Sequence, residues 1–170
     1  MSFFRNFVSP NMEPNPSRPR LPRLLSLPLG WLPGRLNSTV AAEILNWVFA
    51  TERRAGELDF LLERVVRIQV EDATAGFAVR LGEAGFSAAE QAEPDLAVTG
   101  SLYDFLLLVT GREDPDSLFF QRHLRLDGNT ALGVHLKNFL ASVDPASLPL
   151  ATLVNPALRN GLRLFERWSH

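Results

Sequence analysis

Residues 112–140, REDPDSLFFQRHLRLDGNTALGVHLKNFL, compress a proline-marked acidic turn, an apolar wedge, a strand, a helix start and an amphipathic helix into one run. Asp114-Pro115-Asp116-Ser117 forms a turn or brief helical entry, and Leu118, Phe119 and Phe120 follow as the wedge. Arg122–Leu126 reads as a strand, because His123 and Arg125 alternate with Leu124 and Leu126. Asp127-Gly128-Asn129-Thr130 ends it and can cap a helix. That helix carries Leu132, Leu136, Phe139, Leu140 and Val143 at helical spacing. The stretch holds no activated nucleophile and no metal-ligand pattern, so its order points to packing and binding rather than chemistry.

Upstream, Val66, Ile68 and Val70 alternate with Arg67, Gln69 and Glu71, the pattern of a half-buried strand. Phe77, Val79 and Leu81 repeat it after Thr74-Ala75-Gly76. Gly82 to Gly85 then turns into a third strand at 86–90, and Pro94-Asp95 opens a fourth with Leu96, Val98 and Gly100. Short connections make an antiparallel meander the economical arrangement. A helix over 36–54 precedes the strands, with Asn37, Ser38 or Thr39 as its cap and Val40, Ile44, Trp47 and Val48 as its apolar stripe. After the fourth strand, Ser101 with Asp104 forms a capping-box-like pair for the helix LYDFLLLVTG. Leu102, Phe105, Leu106 and Val109 share one face of it, Leu107 and Leu108 make it apolar almost all round, and Gly111 stops it. Such a helix needs cover on more than one side.

A chain of 170 residues that is 46% hydrophobic supports one domain with a sizeable core. No apolar run approaches a membrane span, and the N-terminus lacks the basic cluster and apolar core of a secretory signal. Cysteine is absent, which excludes disulfides, thiolate nucleophiles and cysteine metal sites. The net charge of −2 is unevenly spread. Residues 1–40 hold Arg5, Arg18, Arg20, Arg23 and Arg35 against Glu13, a net +4, and residues 145–170 hold Arg159, Arg163 and Arg167 against Glu166, a net +2. The remaining residues 41–144 therefore carry −8. Basic apolar flanks suit an anionic membrane surface or an acidic partner, whereas the acidic body repels nucleic acid.

Catalytic patterns are missing. G-x-S-x-G, G-x-x-x-x-G-K-[ST] and H-E-x-x-H do not occur. His123 and His135 lie on different elements and read as surface or partly packed residues. Glu113, Asp114 and Asp116 fit a helix-start turn better than a cation site. Lys137, the only lysine, falls off the apolar stripe of its helix, so solvent exposure is expected rather than Schiff-base chemistry. No catalytic residue, metal or cofactor is expected, and the chain reads as a non-enzyme.

The block DPDSLFFQRHLRLDGNTALGVHLKNFL resembles the signature of the UbiT family of ubiquinone-biosynthesis accessory factors, which runs DPD-[ST]-LFFQR-x-L-x-[IL]-x-G-[DN]-T-x-LG-x-x-x-KN. Leu45-Asn46-Trp47-Val48-Phe49 and Gly56-Glu57-Leu58-Asp59-Phe60-Leu61 fit the same family, and the resemblance spans roughly residues 24–143. It implies an α+β domain of the sterol carrier protein 2 type. Such a domain has a mainly antiparallel sheet of about five strands, with helices packed on one face enclosing an apolar tunnel. It further implies a part in oxygen-independent ubiquinone synthesis, where the domain holds or presents polyprenyl quinone precursors to hydroxylases. A phospholipid ligand in lipid homeostasis, or a protein–protein scaffold, are the alternatives. Trp47, Phe77, Phe105, Leu106, Val109, Phe119, Phe120, Leu136, Phe139 and Leu140 are the expected tunnel lining.

Three parts follow: an arm at 1–34, a lipid-binding body at 35–144 and a C-terminal helix at 145–170. The arm holds seven prolines between residues 9 and 34, and it is either packed on the body or a lid or membrane element using Leu24, Leu25, Leu27 and Trp31. At the other end Leu158, Leu162, Phe165 and Trp168 share a face beside the Arg159, Arg163 and Arg167 stripe. That helix lies in a membrane interface, closes the domain or makes a homodimer contact. Trp31, Arg159, Arg163, Arg167 and Trp168 are the expected membrane contacts. The location they suggest is cytoplasmic, peripheral to the inner membrane.

Overall fold

The computed structural model describes residues 34–72 and 75–149. Helix α1 (Gly34–Val48) and the short α2 (Ala50–Arg54) lead through a 3-10 turn (Asp59–Leu61) into β1 (Val65–Val70). Then come β2 (Ala75–Gly82), β3 (Gly85–Ala88), β4 (Leu96–Gly100), α3 (Leu102–Val109), α4 (Pro115–Phe120), β5 (Leu124–Gly128) and α5 (Thr130–Ser142). The five strands form one sheet in the order β3-β2-β1-β4-β5.

Three of the four pairings are antiparallel, but β1 and β4 run parallel, with Val66 opposite Leu96 and Val70 opposite Gly100. The expected meander is therefore wrong at its last step. Instead of pairing with β3, β4 crosses back to the far side of β1. Residues 89–95 make the crossing, and it is stitched to the strands it passes. Ala89 N donates to Ala78 O at 2.8 Å and Asp95 N to Val65 O at 2.9 Å, while Val65 N donates to Asp95 Oδ2 at 2.8 Å. Burial explains the choice: Leu96, Ala97 and Val98 are all buried, which suits a central strand and not an edge.

The register sorts the side chains. Val66, Ile68, Phe77, Val79, Val98 and Leu126 fall on one face, and Arg67, Gln69, Arg80, Thr99, Arg125 and Asp127 on the other. Helices cover the apolar face. The principal core joins Leu58, Leu61, Val66, Leu81, Leu96 and Val98 to Leu132, Leu136 and Phe139 of α5. Ala41 and Ala42 of α1 pack on Val79 with Leu45, Phe77 and Phe86 around them. Leu107, Leu118 and Leu124 tie α3, α4 and β5 together.

Helix ends follow the sequence signals closely. Ser101 Oγ accepts from Asp104 N at 3.2 Å, Asp114 Oδ2 from Ser117 N at 3.0 Å and Asn129 Oδ1 from Leu132 N at 3.0 Å. Gly111 (φ +62°) ends the α3 segment in the left-handed conformation, where Pro145 packs against it. The last strand begins later than expected, at Leu124 and not Arg122. Arg122 takes φ +59°, and His123 N donates to Leu118 O at 2.9 Å, so these two residues close α4.

The helix expected over 36–54 is interrupted at Phe49, whose ψ of 26° departs from the helical value. Asn37, Ser38 and Thr39 do not cap it, since α1 already runs from Gly34. Ser38 has a different task. Its fully buried Oγ accepts from Ala78 N of β2 at 3.0 Å. Two turns on, Asn46 Nδ2 donates to Phe86 O at 2.9 Å and Asn46 Oδ1 accepts from Phe86 N at 2.7 Å, closing the edge of β3. These bonds fix the rotation of α1 about its axis. They turn Ala41, Ala42, Leu45 and Val48 inward, whereas Val40, Ile44 and Trp47 of the expected core stripe point outward. Small residues let α1 approach a sheet face whose bulk comes from Phe77 and Phe86.

Candidate lipid-binding layer

The layer between the sheet and α5 is built from strand alternation on one side and a helical stripe on the other. Leu132, Leu136 and Phe139 recur at i, i+4 and i+7 on α5, and all three are buried. Phe49, Phe60 and His135 extend this layer from Phe139 toward solvent. Phe49, at the break between α1 and α2, meets Phe139 edge-on at 5.5 Å between ring centroids. Phe60, from the 3-10 turn, lies 6.1 Å from Phe139 and stacks on the exposed His135 at 5.8 Å. The break at Phe49 and the tight turn at 59–61 bring these rings onto the His135–Phe139 turn of α5.

The residues expected to line a tunnel separate into groups. Leu136, Phe139 and Leu140 belong to the principal layer, and Phe105 of α3 also touches it. Phe105 reaches two further clusters, one with Val70 and Ala75 and one with Leu107, Leu118 and Leu124, so its ring joins the layer to the α3–α4 end. Phe119 packs in the α3–α4 cluster and Phe77 under α1. Leu106 is half-buried, while Trp47, Val109 and Phe120 are exposed, Phe120 to 91%. Trp31, Arg159, Arg163, Arg167 and Trp168 lie outside the described residues.

Phe49, Phe60, Ile68, Phe86 and Leu126 were not among the residues expected to line the tunnel, yet they pack against the principal layer. Alternation was a usable signal for Ile68 and Leu126. Phe49 and Phe60 carried none, since their meeting depends on where the helix breaks.

The polar groups near the layer do structural work. Lys137 Nζ pairs with Asp116 Oδ1 at 3.0 Å, tying α5 to α4. His123 Nε2 lies 3.2 Å from Gln121 Oε1. The Val65 amide holds the Asp95 carboxyl below the usual carboxylate range. Burial opposes this, while the Arg64 guanidinium and the charge of Arg80 reinforce it. That carboxylate clamps the start of β1 to the crossover. Among the described residues no three His, Asp or Glu side chains gather to hold a metal ion. Among those residues, too, no helix is long and apolar enough to cross a membrane.

A family model described as the SCP-2 sterol transfer family matches residues 45–141, more than half of the chain. The chain belongs to the SCP-2 sterol transfer family. Within that family it is similar to the "Ubiquinone biosynthesis accessory factor UbiT" of Escherichia coli (strain K12), 32% identical over 130 residues that cover 76% of this chain and 75% of the relative. Among solved structures, an SCP-2 domain described as "UbiJ-SCP2 Ubiquinone synthesis protein" superposes with a TM-score of 0.50 at 14% identity, covering 62% of this chain and 93% of that one. The sterol carrier protein domain 2 of Helicoverpa armigera gives a TM-score of 0.45 at 19% identity, over 60% and 87% of the two chains. The family match and the superposition at 0.50 make the five-stranded sheet with helices on one face the SCP-2 fold, as the sequence block at 112–140 implied.

Proposed function

We propose that this SCP-2 protein is a lipid-binding accessory factor of ubiquinone biosynthesis with no catalytic step of its own. It holds a polyprenylated quinone precursor between α5 and the apolar face of the sheet and presents the ring to hydroxylases of the oxygen-independent route. The observation that carries this reading is the 32% identity to a UbiT accessory factor across three quarters of both chains. The layer supports it, because an apolar stripe on α5 faces an apolar sheet and ends in partly exposed rings. Burying a methylene contributes about 0.8 kcal/mol, so about 5–19 of them, within the length of a polyprenyl chain, offset an association cost of about 4–15 kcal/mol. Leu136, Phe139, Leu140 and Phe105 are the proposed lining, with Phe49 and Phe60 at its solvent end. The protein works at the inner membrane surface, where such precursors reside.

Organic extraction of the purified full chain followed by mass spectrometry tests this. A bound prenylated quinone precursor is the expected result. Phospholipid alone would move the protein to general lipid handling, and a lipid-free chain that still binds the hydroxylases would make it a scaffold. Leu140→Asp, at a half-buried position, should abolish lipid recovery while the chain stays folded. Undiminished lipid in that variant would remove α5 from the site.

A further inference from the structure

The exposed apolar residues of the described chain are distributed one-sidedly. All but Leu62 sit on helices, whereas the sheet face opposite the helices presents Arg67, Gln69, Arg80, Thr99 and Arg125. The densest group is on α1, where Val40, Ile44 and Trp47 are 52%, 47% and 45% exposed and recur at i, i+4 and i+7. At about 100° per residue these three lie across the helix from the Ser38, Ala42 and Leu45 side that packs on β2. The stripe does not result from loose packing. Ser38 and Asn46 lock the helix so that Val40, Ile44 and Trp47 face out.

The chain that enters this helix has complementary chemistry. Residues 18–35 contain Arg18, Arg20, Arg23 and Arg35, no acid, and leucines interleaved with a tryptophan. Only four residues separate Arg35 from Val40, so a basic apolar segment is covalently continuous with an outward apolar stripe that carries a tryptophan. A stripe of this kind, with a tryptophan at headgroup depth and arginines alongside, matches an anionic lipid surface. The matching features of a protein-docking groove, concave walls and paired hydrogen-bond groups, are not what α1 offers.

We propose that the outer face of α1, through Val40, Ile44 and Trp47, docks this protein on an anionic bilayer with the polar sheet face turned away. The inference rests on the reading that the protein works at a membrane, and it assigns that contact to a defined helix. It also orients the lipid layer, which lies directly beneath the helices on the bilayer side. Glu43, exposed beside the stripe, is the one acid of α1 and weakens the contact.

Co-sedimentation of the full chain with 3:1 phosphatidylethanolamine–phosphatidylglycerol vesicles is the test, with pure phosphatidylcholine vesicles as comparison. Binding to the anionic vesicles is expected. Ile44→Asp should weaken it at least tenfold, Glu43→Lys should strengthen it, and Arg67→Glu on the sheet face should leave it unchanged. The Ile44 side chain is exposed, so an unaltered denaturation midpoint will show that the variant is folded. Wild-type affinity in Ile44→Asp would overturn the inference, as would a loss shared equally by Arg67→Glu. A dimer in sedimentation velocity that Ile44→Asp dissociates without changing vesicle affinity would assign the stripe to a second copy and overturn it too. Lipid extraction separates this outcome from the carrier reading. Ile44→Asp should keep its lipid while leaving the vesicles, and a lipid-free wild type that still docks would sink the carrier reading alone.

Discussion

Ser38→Ala puts the anchoring of α1 to a quantitative test. The hydroxyl is fully buried, and it is the acceptor for the Ala78 amide, which points past the end of β3. Alanine keeps the methylene, so no cavity opens and the change is close to a pure loss of one acceptor. A buried N–H left without a partner costs about 1–3 kcal/mol. With a urea m-value of about 2 kcal/mol/M for a domain of this size, the midpoint should fall by about 1 M at unchanged slope. Asn46→Ala removes two bonds to Phe86 at a half-buried edge, where water replaces part of the loss, and should cost about 1–2 kcal/mol. The anchors stand about 12 Å apart along the helix and share no partner, so the double variant should show additive losses. Equilibrium urea unfolding followed by circular dichroism is the assay. A Ser38→Ala shift below about 0.5 kcal/mol would refute the claim that this hydroxyl satisfies a buried strand amide.

Leu118→Ala, at a fully buried site, should destabilise by about 2–5 kcal/mol, whereas Phe120→Ala two residues later should stay within about 0.5 kcal/mol. Equal effects in thermal unfolding would mean that α4 is rotated. Gly128→Ala should cost about 1–3 kcal/mol or more in the same measurement, because φ is +116° and an added Cβ would sit 2.5 Å from the Asp95 carbonyl oxygen. A neutral result would reject that turn geometry. Asp95 has a folded pKa below its unfolded value, so its contribution is present above about pH 4 and fades as pH falls through the folded value. The wild-type stability advantage over Asp95→Asn should therefore shrink on acidification below pH 4, and an advantage that grows there would contradict the clamp.

Local signals in this chain were reliable where the physics is local. Ser101, Asp114 and Asn129 cap the helices that their sequence positions announced. Strand alternation identified the apolar sheet face, since period two fixes the side whatever the neighbour. Strand partners were not legible, because a connection the length of 89–95 reaches either the adjacent edge or the far side of β1. The helix-face assignment on α1 failed for a related reason. Hydrophobicity ranked Val40, Ile44 and Trp47 above Ala41 and Ala42, but two side-chain hydrogen bonds to the sheet decided the rotation. Leu118, Phe119 and Phe120 read as one wedge. In α4 successive residues fan out by about 100°, sending the first inward and the third into solvent. Of the proposed lining, the α5 stripe was visible in advance, and the Phe49–Phe139–Phe60 ring contacts were not.

The crossing of β4 to the inner side of the sheet sets a timetable for synthesis. β1, β2 and β3 emerge from the ribosome as a hairpin meander in chain order, but the second partner of β1 begins only at Leu96, 26 residues after Val70. At about 5–20 residues per second, the ladder groups of a Val- and Ile-bearing strand stand open for about 1–5 s. An open apolar strand edge is a template for pairing with another chain. Arg67 and Gln69, alternating through that strand, set a charge and a polar amide within any mispaired ladder, and the interval ends when Asp95 closes on Val65.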